Sequence, residues 1–191
     1  MSTDRMETFS DGVIAILITI MVLELDVPKG AHFSDLRELW PVFLSYVLSF
    51  VTIGIYWNNH HHMLRATERI NGLVLWANLH LLFWLSLFSF ATAWMGENHF
   101  ARTPTAAYGV VLLCAAVAYF LLQSAILAEL GPGSALKAAI GRDLKGKASP
   151  AIYAAGIVLT FVNRWLGVAA YAVVALMWLV PDRRLESSLR S

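Results

Sequence analysis

Long apolar stretches alternate with short polar connectors along this chain of 191 residues. A helix needs about 20 residues to cross the hydrocarbon of a bilayer. The first four stretches approach or exceed that length, and the last two are shorter. We predict an all-α integral membrane protein with six transmembrane helices in a single domain, over residues 9–27, 41–63, 73–95, 105–130, 150–163 and 165–180.

The last two apolar stretches are separated only by Asn163-Arg164-Trp165. They form either two compact spans joined by a tight turn or one long bent helix. A single helix over residues 151–180 would be about 45 Å long at about 1.5 Å per residue. It would also carry Arg164 at mid-membrane, where a charge is costly. We therefore predict two separate spans.

Lysine and arginine are unevenly divided between the connectors on the two sides of the membrane. With six spans, one side receives ten basic residues, in the N-terminus, the second and fourth connectors and the tail. The other side receives four, which are Lys29, Arg37, Arg102 and Arg164. Because basic residues are retained in the cytoplasm, we predict a multi-pass protein of the cell membrane with both termini cytoplasmic.

Composition agrees with a membrane location and excludes several functions. Hydrophobic residues make up 58% of the chain and charged residues 14%, against about 45–50% and about 25% in soluble domains. The net charge of +1 provides no basic surface for nucleic acid. We find no nucleophile motif, zinc spacing, phosphate loop or dinucleotide fingerprint. We therefore predict that the chain is not an enzyme and needs no cofactor.

Ser10 and Asp11 lie just inside the first apolar stretch. An ionised carboxylate in a membrane helix needs a partner, so Asp11 indicates a functional site. The alternative is that Asp11 caps the start of the helix by accepting backbone N–H groups. Both roles are compatible with the sequence.

The first stretch has one mostly aliphatic side when it is drawn as a helix with about 100° per residue. Asp11 then points away from this side, toward neighbouring helices. The stripe itself consists of Arg5, Phe9, Gly12, Ile16, Thr19, Ile20 and Leu23. Such a stripe is typical of ordinary helix packing and, less often, of a pore.

Three consecutive histidines, His60-His61-His62, lie near the end of the second stretch. Successive side chains on a helix point about 100° apart, so three neighbours cannot chelate one ion well. We considered a metal site that also includes His80, but we favour packing near the cytoplasmic end and predict no metal site.

The motif Arg5-x-x-x-Phe9-Ser10-Asp11, followed by a helix rich in Gly, Val, Ala and Ile, resembles the first helix of the TMEM175-like potassium channel family. The resemblance covers most of the chain. The family would lead us to expect Pro-Phe where this chain has Ser89-Phe90, which puts a kink there in doubt. Further matches are Trp57-x-x-His60, Asn78, Trp178 and Pro181-Asp182-Arg183-Arg184.

The resemblance implies a homotetramer in the bilayer, around a central pore lined by the first helix of each subunit. It implies a narrow hydrophobic ring at Ile16, with Ile20 and Leu23 as the next rings toward the outside. Thr19 would offer hydroxyls to a partly dehydrated cation. A ring of isoleucines can gate by dewetting, and it replaces the Thr-Val-Gly-Tyr-Gly filter that this chain lacks. The expected permeant ion is K⁺, with modest preference over Na⁺.

The resemblance also implies a polar network that holds the pore helix without binding ions. Its members would be Arg5, Phe9, Ser10, Asp11, His60 and Asn78. Independently of the family, Glu24 and Asp26 end the first span, where acidic side chains either concentrate cations or are simply exposed to solvent.

Two other functional classes compete with a channel. A secondary transporter would need an intramembrane substrate site, commonly built from broken helices and inverted repeats, and neither is evident in the sequence. A non-conducting membrane scaffold would leave the first helix without a pore.

Overall fold

The computed structural model describes residues 3–65, 67, 70–129 and 144–179. These residues fold into α-helices with no β-strand among them. Two short 3₁₀ helices, Val22–Glu24 and Phe33–Leu39, lie between the first two α-helices. The α-helices are α1 (Thr3–Met21), α2 (Trp40–Arg65), α3 (Gly72–Ser86), α4 (Phe88–Glu97), α5 (Arg102–Glu129), α6 (Leu144–Val162) and α7 (Arg164–Leu179).

Four helical segments are long and apolar enough to cross a membrane, and they contain α1, α2, α3 with α4, and α5. Helices α6 and α7 follow as a closely packed pair, of which α7 is a shorter apolar helix of 16 residues. With α3 and α4 counted as one segment, the described residues form six α-helical segments, which fits the predicted number.

A turn at Asn163 separates α6 from α7. The Asn163 side chain accepts a hydrogen bond from the Trp165 backbone N–H at 2.9 Å, which caps the start of α7. Arg164 donates to the backbone carbonyl of His99 at 3.1 Å, and its guanidinium lies 5.6 Å from the centre of the Trp165 ring. The long bent helix is therefore excluded, and Arg164 lies at a helix end.

The third span is interrupted at Leu87, where α3 ends and α4 begins. No proline is present, although proline is the commonest cause of a sharp break. The Ser86 hydroxyl donates to the carbonyl of Phe83 at 2.7 Å, and a serine that bonds back to the preceding turn bends a helix. The third span is therefore interrupted two residues before Ser89, even though the proline is missing.

One side of α1 packs against the rest of the protomer. Its buried residues recur every three or four positions, so they form a single stripe along the helix. They contact α2, α3 and α4. The stripe consists of Met6, Ser10, Ile14, Leu17 and Met21.

The close contact between α6 and α7 depends on Gly167. A methyl group at this position would overlap the Thr160 hydroxyl and lie 3.0 Å from the carbonyl oxygen of Gly156. We expect Gly167→Ala to lower the free energy of unfolding by about 1–3 kcal/mol, because the helices would have to separate. Gly54→Ala is the matched control, since no atom lies within 4 Å of the added methyl. Unfolding in mixed micelles measures both, and equal values for the two variants would contradict the prediction.

Candidate functional site

An aliphatic ridge on α1 is exposed at the surface of the protomer. Ile16 is 57% exposed, Ile20 is 42% exposed and Leu23, in the 3₁₀ turn after α1, is 79% exposed. No atom lies within 4 Å of the position that a side chain would take at Gly12. We call Gly12, Ile16, Ile20 and Leu23 the ridge. Its surface must be covered by lipid or by other chains.

Thr19 is an exposed hydroxyl beside the ridge. Its Oγ1 donates to the backbone carbonyls of Ala15 at 3.1 Å or Ile16 at 2.9 Å. A hydroxyl has one hydrogen and two lone pairs. Because the hydrogen is used within the helix, the lone pairs are left to face the surface, which suits a cation.

A chain of buried hydrogen bonds joins α1, α2 and α3. Asn78 on α3 donates from Nδ2 to the Ser10 hydroxyl on α1 at 2.9 Å. Its Oδ1 lies 2.7 Å from Nε2 of His60 on α2, and an amide oxygen only accepts, so His60 carries the hydrogen on Nε2. Ser10 in turn donates to the Met6 carbonyl at 2.8 Å. We call Ser10, His60 and Asn78 the anchor.

The anchor is shielded from the surroundings. Ser10 and His60 are fully buried, and Asn78 is 2% exposed. Polar groups in such a place are costly unless they are paired. The bond from Asn78 to Ser10 is the one that crosses to α1, and it forms only when α1 is rotated so that Ser10 faces α3. The anchor therefore fixes which side of α1 faces outward.

Asp11 lies one residue beyond the anchor and accepts a hydrogen bond from Trp57 Nε1 at 3.0 Å. Because α1 begins at Thr3, Asp11 is in the helix interior and is not an N-terminal cap. The capping alternative is excluded, and the carboxylate has the partner that its position requires.

The remaining predicted site residues are spread along α1 and its C-terminal end. Phe9 is 51% exposed, next to the ridge. The Arg5 side chain is exposed and has no ion pair or hydrogen bond with the described part of the chain. Glu24 is half-buried at the end of the 3₁₀ turn, and Asp26 is exposed just after it.

Three further polar residues meet beside the anchor and were not identified from the sequence as site residues. Nδ1 of His61 lies 2.8 Å from Oε1 of Glu7. Nε of Arg65 lies 3.8 Å from the same oxygen. The sequence does show that Glu7 precedes Asp11 by one helical turn. The partners of Glu7 lie on α2, however, and only the packing of α1 against α2 brings them together.

The chain is similar to known channels. The profile of the family described as endosomal/lysosomal potassium channel TMEM175 matches residues 5–88. The sequence is 49% identical to a potassium channel of Chryseobacterium sp. (strain P1-3), over 100% of this chain and 99% of that protein. It is 34% identical to the endosomal/lysosomal proton channel TMEM175 of Homo sapiens, over 54% of this chain and 23% of that protein.

A solved structure has the same fold. The crystal structure of a lysosomal potassium-selective channel TMEM175 homolog from Chamaesiphon minutus superimposes with a TM-score of 0.81 and 29% sequence identity. The match covers 93% of this chain and 96% of that chain. The sequence comparison and the structural comparison therefore both relate nearly the whole length of this chain to the same family of channels.

Proposed function

This chain belongs to the TMEM175 family of channels, and from that premise we propose that it is a potassium-permeable cation channel of the cell membrane. It conducts ions and is not an enzyme. Four copies surround a central pore, and the ridge of each α1 faces the axis. Both termini lie in the cytoplasm.

The observation that carries this proposal is the pairing of an exposed ridge with a buried anchor. A helix that merely faces lipid gains little from a fixed rotation, because lipid tails accept any apolar side. A ring of identical side chains around an axis does require it, since a rotation by one residue would turn each ridge by about 100°. The anchor supplies that constraint from within one protomer.

Ile16 forms the constriction in this proposal. Successive rings at Ile16, Ile20 and Leu23 are separated by about 6 Å and about 4.5 Å along the helix, at about 1.5 Å per residue. A narrow apolar neck empties of water and blocks ions until it widens. An ion that passes has lost part of its hydration, and K⁺ loses it more readily than Na⁺. The lone pairs of Thr19 replace some of the lost water, which gives a modest preference for K⁺.

Reconstitution of the purified protein in planar bilayers tests the function. With K⁺ on one side and Na⁺ on the other, we expect a reversal potential that favours K⁺, and a parallel proton gradient measures any H⁺ permeability. Flux that saturates and is coupled to the proton gradient would favour a transporter. An assembled protein that passes no ions, or an image in which the ridge faces lipid, would refute the proposal.

The acidic end of the first span is expected to attract cations to the pore. Neutralising it with Glu24→Gln and Asp26→Asn should reduce single-channel conductance about twofold at low ionic strength, because local cation concentration follows the surface potential. The difference should vanish near 1 M salt, where the Debye length is about 3 Å. Glu38→Gln, which removes an exposed charge farther along the chain, is the control. A reduction that persists at high salt would contradict this role.

A further inference from the structure

A second polar cluster lies beside the anchor and takes no part in the proposed permeation path. Glu7 and Asp11 are one turn apart on α1, so their side chains share a face. His61 approaches them from α2, and one ligand atom of each of the three lies within 4.8 Å of the others. We propose that these three side chains bind one divalent transition-metal ion of the class of Zn²⁺ or Co²⁺.

The donor set selects this class of ion. It combines one imidazole nitrogen with two carboxylates, which are the side chains that bind Zn²⁺ in many proteins. Mg²⁺ and Ca²⁺ prefer ligand sets made only of oxygen. Three protein ligands leave further coordination positions for water. The two negative charges of Glu7 and Asp11 balance the charge of the ion.

The imidazole of His61 offers a nitrogen that lacks a hydrogen-bond partner. Its Nδ1 is shielded from solvent and has none among the described residues, although Glu7 Oε1 is only 2.8 Å away. The two atoms are therefore close without the alignment of a hydrogen bond. The ring is held in place by stacking on Trp57, with centroids 6.2 Å apart. A metal ion between nitrogen and carboxylate would use this unpaired atom.

The distances suit an ion of this size after a small adjustment. Two ligands at about 2.1 Å from a metal and 2.8 Å from each other subtend about a right angle, as in five- or six-coordinate sites. The same bond length allows at most about 4.2 Å between opposite ligands. The three ligand atoms lie within 4.8 Å of one another, so a shift of one carboxylate oxygen by about 0.6 Å or less brings them into bonding distance.

Neighbouring groups support the ligands. Trp57 Nε1 donates to Oδ1 of Asp11 at 3.0 Å, which orients that carboxylate as second-shell donors orient metal ligands. Arg65 carries a positive charge 3.8 Å from Glu7, which opposes the binding of a cation. Its side chain is 66% exposed, so it is free to turn away. The side chains of His61 and Glu7 are 27% and 17% exposed, so an ion can enter.

A bound ion would tie α1 to α2 immediately before the ridge, which begins at Gly12. Such a tie opposes any movement of α1 against α2. Its effect on ionic current depends on the proposed channel function, whereas binding itself does not. The two can therefore be tested separately on the same protein.

The test titrates the full-length protein, without a polyhistidine tag, with Zn²⁺ by calorimetry and with Co²⁺ by visible absorption. We expect one ion per chain. His61→Gln should weaken binding at least about 100-fold, because the loss of a second-shell group alone costs about 10–100-fold. His62→Gln is the matched control, since the His62 ring contacts the His61 ring, with centroids 5.6 Å apart, but is not among the three ligands, and it should keep affinity within about threefold.

Absence of binding to the wild type, or equal affinity in the wild type and His61→Gln, would overturn the site. If His61→Gln does not assemble, X-ray absorption of the Zn²⁺-loaded wild type decides: one imidazole among oxygen ligands supports the proposal, and none or several imidazoles contradict it. In bilayers, cytoplasmic Zn²⁺ should change the current of the wild type and not of His61→Gln. A protein that binds one ion but never conducts would refute the channel and leave the metal site standing.

Discussion

Replacing Ile16 with asparagine is expected to increase potassium current by about tenfold or more and to bring the K⁺/Na⁺ permeability ratio close to one. A polar ring stays hydrated, so the dewetted state that blocks ions is lost. A barrier lowered by about 1.4 kcal/mol already gives a tenfold change in rate. Because the side chain is 57% exposed in the protomer, the substitution should not disturb the fold. Bilayer recordings with bi-ionic solutions measure both quantities.

The matched control is Ile16→Leu, which keeps an apolar side chain of the same volume. Its conductance and selectivity should stay within about twofold of the wild type, because the ring remains hydrophobic. If Ile16→Asn assembles normally and conducts like the wild type, Ile16 is not the constriction. Equal effects of the Asn and Leu variants would likewise exclude dewetting at this ring.

Replacing Asn78 with leucine is expected to lower the free energy of unfolding by about 2 kcal/mol and to reduce current at equal expression. The change keeps the volume but leaves the N–H of His60 without an acceptor and removes the donor to Ser10. Leaving a buried polar group unsatisfied costs about 1–3 kcal/mol. Titration with a denaturing detergent in mixed micelles measures the difference.

Two comparisons separate the anchor from general destabilisation. Asn58→Leu, at an exposed position on α2, should change stability by less than about 0.5 kcal/mol. The double variant with His60→Leu and Asn78→Leu should recover part of the loss, because both partners of one bond are then apolar. Interhelical hydrogen bonds in membranes couple by about 0.6 kcal/mol on average and up to about 1.7 kcal/mol. Strictly additive losses would show that these residues act independently.

The number of α-helical segments could be predicted from the sequence, because hydropathy and the cost of a buried charge are local properties. Asn163 and Arg164 indicated a turn, and the structure has one. The break at Leu87 could not be read, since it occurs without proline and involves a hydroxyl bond of Ser86 within the helix. A serine at that position is also common in uninterrupted membrane helices.

The residues of the candidate site were only partly predictable. The helical periodicity of the first span places the ridge and Asp11 on different sides of the helix. This could be predicted because all of these residues lie on one helix. The contact of Asp11 with Trp57 joins residues 46 positions apart, and its existence depends on how α1 rotates against α2. The same holds for Glu7 and His61. Spacing within the histidine triplet argued against a metal site, but it carried no information on carboxylates supplied by another helix.

The hydrogen bonds of the anchor all form inside one chain. A newly made subunit can therefore set the angle of its first helix before it meets another copy. In the proposed tetramer, assembly would then join first helices that are already oriented. A change in the anchor would then alter the first helix of the subunit that carries it, whereas a change in the ridge would alter the proposed pore without altering the orientation of the helix.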